Sequence, residues 1–122
     1  PTKQRLRRPA EFRKVFSRGR RSSNAFTNVV VLPNDLPHIR VGLAVSKRVG
    51  NAVARNLVKR RIRNAFASMD ISGGWDVVVT AKPESSEVSY AKLDHSIKKS
   101  IQRAGVEFVS PDNQEPNSQV NV

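Results

Sequence analysis

The chain is predicted to fold as one α+β domain, with about three helices packed on a small mixed sheet. Three observations carry that expectation. Two valine-rich runs, FTNVVVL (26–32) and WDVVVTA (75–81), read as strands bounded by turn residues. Three segments, near 9–17, 52–68 and 90–104, repeat apolar residues at helical spacing. The length of 122 residues suits a single domain with a modest core.

Taken in order, Pro9 suits the first position of a helix, where its missing N–H costs nothing. Phe12, Val15 and Phe16 then fall on one side, and Gly19 is expected to stop the helix in a left-handed cap. Residues 20–25 are a basic connector or a short edge strand. After the strand 26–32, PNDLP (33–37) supplies a turn. RVGLAVS (40–46) alternates, with Val41, Leu43 and Val45 on one face and Gly42, Ala44 and Ser46 on the other. That second face is flat, so another element or a ligand backbone could approach it closely. Asn51 is a natural N-cap for the helix 52–68. ISGG (71–74) turns the chain into the strand 75–81, which carries enough valine to be buried on both faces. Ser89 caps the last helix, whose apolar side is Tyr90, Leu93, Ile97 and Ile101. The strand–helix–strand unit at 40–81 could pair two parallel strands, by default through a right-handed crossover. The domain is expected to span 9–105, after a flexible basic arm over 1–8 and before a polar, disordered tail over 106–122.

Charge narrows the function. Residues 1–63 hold 17 of the 22 Lys and Arg but only Glu11 and Asp35 as acids, a net of about +15. No acid occurs between Leu36 and Met69. So segregated a field favours a polyanion, whereas a merely soluble surface would mix its signs. The absence of cysteine excludes disulfides and thiolate metal sites. No apolar run is long enough for a membrane span and no signal-peptide pattern opens the chain, so the simplest placement is cytoplasmic, with no membrane partner.

The charge peaks in VARNLVKRRIR (53–63), with five cations in eleven residues. Arg55, Lys59 and Arg63 form one ridge at i,i+4 spacing, with Asn56 and Arg60 beside it. Ala54, Val58, Ile62, Ala65, Phe66 and Met69 form the opposite stripe. Each like-charge step costs about 0.2–0.5 kcal/mol. A buried large apolar side chain returns about 1.5–3 kcal/mol. The helix can therefore form without a partner, so stability alone does not demand an RNA. Lys47 and Arg48, just before it, extend the cationic surface, and nearby acids are lacking. Composition does not separate RNA from DNA.

A hydrolytic centre is not evident. Metal-assisted cleavage needs clustered carboxylates, and Glu11, Asp35 and Asp70 are far apart in sequence. His38 lies beside a turn proline and His95 on the last helix, so surface or capping roles suit them better than acid–base catalysis. No catalytic residue and no protein-bound metal is expected.

The stretch KRVGNAVARNLVKRRIRNAF (47–66), together with EFRKVFSRG (11–19) and DVVVTAKP (76–83), closely resembles the signature of the bacterial ribonuclease P protein subunit. The shared pattern is carried by Lys47-Arg48, Gly50-Asn51, Arg55-Asn56, Lys59-Arg60 and Arg63. The resemblance implies a monomeric protein that assists a catalytic RNA in removing the 5′ leader of precursor tRNA, with Mg²⁺ used by the RNA. It implies a four-stranded sheet like that of the second domain of ribosomal protein S5, with a left-handed crossover in place of the default. It further implies that Lys47, Asn51, Lys59, Arg60 and Arg63 face the RNA subunit. Phe12, Arg13, Phe16, Val29, Arg48, Arg55 and Asn56 would line a leader-binding cleft. Val29 stands there where many members carry an aromatic. Spacing alone also allows Phe12 and Phe16 to be core residues, and one ring could serve both roles. The alternative function is a ribosome-associated or general RNA-binding module without a ribozyme partner.

Overall fold

A computed structural model describes residues 5–109. The elements are α1 (Pro9–Arg18), β1 (Arg20–Ser23), β2 (Thr27–Pro33), β3 (Arg40–Ala44), α2 (Ala52–Ala67), β4 (Trp75–Ala81) and α3 (Tyr90–Arg103). Short 3-10 turns at Lys47–Val49 and Pro83–Glu87 precede α2 and α3. The sheet order is β1-β2-β4-β3. β2 is antiparallel to β1 and β4, while β3 and β4 pair in parallel across α2, as the 40–81 unit suggested. The segment after Gly19, open between connector and edge strand, is the edge strand β1.

Strand alternation sorts the valines into two cores. Val29, Val31, Val41, Val77 and Val79 face α2 and α3, meeting Val58, Ile62, Phe66, Leu93, Ile97 and Ile101. Val30 and Val78 face the other way and meet Val15 and Leu6 under α1. β4 is thus buried on both faces from Asp76 to Val79, which explains its nearly unbroken apolar run.

α1 lies close to the sheet because β3 offers no side chain beneath it. A Cβ at Gly42 would stand 2.6 Å from Phe12 Cζ and 3.1 Å from Leu6 Cβ. The flat face of β3 therefore receives the Phe12 ring. Gly19 does not adopt the expected left-handed cap: its φ is −80° and the chain passes straight into β1. It is small for another reason, since a Cβ there would lie 2.6 Å from both Val15 O and Val30 Cγ1.

One ionic network joins α1, β3 and β4. The buried Asp76 carboxylate accepts from Arg40 Nε (2.9 Å), Arg40 Nη2 (2.8 Å) and Asn34 Nδ2 (2.9 Å). Arg40 Nη1 also reaches Glu11 Oε2 at 3.0 Å. Glu11 Oε1 accepts from the Arg8 and Arg7 N–H groups at 3.0 and 3.1 Å, closing the first turn of α1. Those two N–H groups first, and then the Arg40 charge, hold Glu11 below its ordinary pKa of 4.5.

Both domain boundaries move outward from the sequence expectation. Leu6 is buried and its N–H donates to Val41 O at 3.0 Å, so residues 5–8 are not a loose arm. Val106 is buried in the core facing α2 and α3, and Phe108 bridges to Ile71. The rest of the expected tail, 110–122, lies outside the described residues, as do residues 1–4. Tyr90, expected on the apolar side of α3, is exposed at its first position.

Gly42→Val should drive Phe12 off the sheet and lower unfolding free energy by about 1–3 kcal/mol in urea titrations. Asp76→Ala strands Arg40 against a core edge and should lose about 2–3 kcal/mol. The Glu11 pKa is lowered on folding. Its contribution is therefore complete above pH 4.5 and disappears as pH falls through the lowered value. Glu11→Gln should flatten the acid limb of a pH–stability curve; an unchanged limb would refute this assignment.

Candidate nucleic-acid interface

α2 is built so that its two sides do different work. Asn51 Oδ1 accepts from Ala54 N–H at 2.9 Å, the predicted cap. Val58, Ile62, Ala65 and Phe66 are buried against the sheet and α3. Asn56, Lys59 and Arg60 are exposed, and Arg55 and Arg63 are half-buried on the ridge. Arg61 stands apart from this group: its Nη1 donates to Val88 O at 2.8 Å and ties the helix to the entry of α3.

The cationic surface continues onto the 3-10 turn. Ser46 Oγ accepts from Arg48 N–H at 3.3 Å, and Val49 is buried beneath it, leaving Lys47 and Arg48 exposed. Gly50 links turn to helix at φ +152°, a conformation side-chain-bearing residues rarely adopt.

None of the cations from Lys47 to Arg63 has an acidic partner among the described residues. The ion pairs there are Arg40 with Glu11 and Asp76, and Lys98 with Asp94. Arg63 shows the consequence. Burial foremost, then the charges of Arg5 and Arg7, hold its guanidinium below its ordinary pKa. Arg63 and Arg5 face a shared cavity of about 240 Å³, also lined by Asn64 and Phe66. Arg5 and Arg7, in the expected N-terminal arm, thus add their charge to this surface.

An open strip of sheet lies on the face that carries α1. α1 covers the Val30–Val78 row of the sheet and leaves the next row uncovered by it. By register that row is Ser23, Asn28, Thr80 and Ala44, on the same face. Ser23 Oγ donates to Asn28 Oδ1 at 2.6 Å, and the row is exposed or half-exposed. Phe16 packs, half-buried, with the Val15, Val30 and Val78 cluster, with the Arg21 guanidinium 5.8 Å from its ring centre. Phe12 and Phe16 both pack against the core under α1 while keeping part of their rings accessible, and Arg13 is exposed beside them.

Val29 must be removed from the cleft. It is fully buried and points at α2 and α3, the face away from α1. A strand has period two, so a one-residue offset moves a side chain through the sheet. The position facing α1 is Val30. The cleft floor of Ser23, Asn28 and Thr80 was not singled out from sequence, although alternation about the buried valines marks it once the strand register is known.

Among the described residues no three His, Asp or Glu side chains come together as metal ligands. Glu11 and Asp76 are both engaged by Arg40. His38 sits before β3 and His95 is exposed on α3, on separate elements. The arrangement can neutralise and position an anionic strand; it assembles no acid–base pair.

Lys59→Gln with Arg60→Gln should leave the melting midpoint nearly unchanged, since exposed substitutions shift stability by about 0.5 kcal/mol or less. The same pair should lower the slope of log affinity against log salt for RNA by about 1.5–2. Arg63→Gln should raise stability at low salt, by relieving repulsion, while weakening RNA binding. Parallel loss of stability and binding would contradict a docking role.

Comparison with known proteins identifies the family. The family model described as Ribonuclease P matches residues 1–105. The ribonuclease P protein component of Clostridioides difficile is 35% identical over 104 residues, covering 83% of this chain and 91% of its own. That of Bacillus mycoides is 36% identical over 110 residues, covering 88% and 96%. The Staphylococcus aureus RNase P protein structure superposes with a TM-score of 0.76 at 28% identity, covering 84% of this chain and 95% of its own. The Thermotoga maritima RNase P protein does so at 0.72 and 26%, covering 81% and 96%. A family match over nearly the whole folded region, joined to relatives above 30% identity, shows that the chain belongs to the family of ribonuclease P protein components.

Proposed function

We propose that this chain is the protein subunit of a ribonuclease P ribonucleoprotein, which removes the 5′ leader from precursor tRNA during tRNA maturation. The observation that carries the reading is the cation ridge of α2, none of whose members has an acidic partner among the described residues. Lys47, Asn51, Lys59, Arg60 and Arg63 dock on the catalytic RNA. Arg48, Arg55 and Asn56 lie toward the cleft, where Phe12, Arg13 and Phe16, with Asn28 and Thr80, hold the single-stranded leader. An accessible ring edge and a flat polar floor suit unpaired bases without reading their sequence; stacking contributes about 1–3 kcal/mol per base.

Catalysis in this reading belongs to the RNA, with Mg²⁺ held by RNA phosphates and the protein orienting the substrate. The protein acts as a monomer in the cytoplasm. No described helix is long and apolar enough to cross a membrane.

The test is reconstitution. Purified chain alone should not cleave precursor tRNA, while the chain added to its RNA subunit should lower the Mg²⁺ requirement for cleavage. The complex should bind a precursor at least about tenfold more tightly than mature tRNA, the equivalent of one good stacking contact. Cleavage by protein alone, or equal affinity for both tRNAs, would overturn the assignment. RNA recovered with the chain from cells should be one structured species; recovery of ribosomal subunits in its place would favour a ribosome-associated module.

A further inference from the structure

The charge of the N-terminal half is not exhausted by α2. Arg18, the last residue of α1, and Arg20, the first of β1, are both exposed. Neither has an acidic partner among the described residues. They line a cavity of about 400 Å³ at the other end of the strands, together with Pro33, Trp75, Ala104 and Gly105.

Three features make this a shaped site and not just a charged edge. Trp75 is half-buried: it packs on the core, and its Nε1–H donates to Ser72 O at 3.3 Å, which fixes the indole. Gly105 follows α3 at φ +105°, and a Cβ there would stand 3.3 Å from Arg20 Nη1, so the glycine leaves the guanidinium room at the cavity wall. Arg18 ends α1, where the helix dipole favours a cation. A held indole beside two arginines matches one nucleotide, base on the ring and phosphate between the guanidiniums.

We propose that Arg18, Arg20 and Trp75 form a second RNA contact, which takes an unpaired nucleotide of the catalytic RNA. The inference rests on the RNA-subunit reading above. The source follows from geometry. The cleft floor lies at the Ala44–Thr80–Asn28 end of the strands, whereas Trp75 begins β4. Thr80 lies five residue steps along β4 from Trp75, about 17 Å at the usual rise. α1 also intervenes, so a leader in the cleft does not continue into this pocket. α2 and the Trp75 pocket border different parts of the sheet, so a folded RNA that contacts both is braced at two points.

Trp75 is the single tryptophan, so its emission reports the pocket directly. Titrating the intact chain with its RNA subunit should quench Trp75 emission by at least about half, as expected of stacking on a base. Arg18→Gln with Arg20→Gln should abolish most of the quench and reduce the salt slope of RNA-subunit binding by about 1.5–2. An unchanged thermal melt would show that the variant is folded. The preference for precursor over mature tRNA should persist. Tight binding of the RNA subunit with unaltered emission would overturn this proposal and leave the parent reading standing. Quenching that appears only when precursor tRNA is added would overturn the assigned source. Failure to bind the RNA subunit at all would overturn the parent reading itself.

Discussion

A buried carboxylate must be paired, and in this protein Arg40 does it. Asp76 sits on the strand that is closed on both faces, where an unpartnered charge would be expensive. Arg40 meets it with two donors and gives a third to Glu11 of α1. One guanidinium thereby sets β3 beside β4 and α1 above both. The same contact removes two acids from circulation.

The second determinant is the absence of a side chain at Gly42. It lets Phe12 rest on β3 and brings α1 down onto the Val30–Val78 row. Because α1 covers that row and leaves the next uncovered, the sheet keeps a strip of small and polar residues beside a helix carrying Phe16 and Arg13. That open strip is thus a by-product of where packing ends.

α2 separates its duties by angle. The stripe of Val58, Ile62, Ala65 and Phe66 supplies the burial that outweighs local repulsion, and Arg61 is drawn out of the charged face to hold Val88 O. What is left is a ridge with no acidic partner among the described residues, and the charges of Arg5 and Arg7 act on Arg63. Such a surface is stable alone yet lower in free energy with an anion bound, the condition for a docking face.

Much of this was legible in the sequence. The helix and strand patterns, the Asn51 cap, the core stripe of α2 and the acid-free stretch are properties of neighbouring residues, set by periods of 3.6 and 2 and by local hydrogen bonding. Relations between distant segments were not legible. Sequence could not show that Arg40 would claim Glu11 and Asp76, that Leu6 would add to the edge of β3, or that Val106 would enter the core. Nor could it decide which of Val29 and Val30 faces α1, since that depends on strand register, and one residue of offset reverses the face. The sequence by itself determined the elements and the charge of the surface. The tertiary structure alone decided which charges are silenced and which side chains border the cleft, because pairing and register are set across elements by packing and not along the chain.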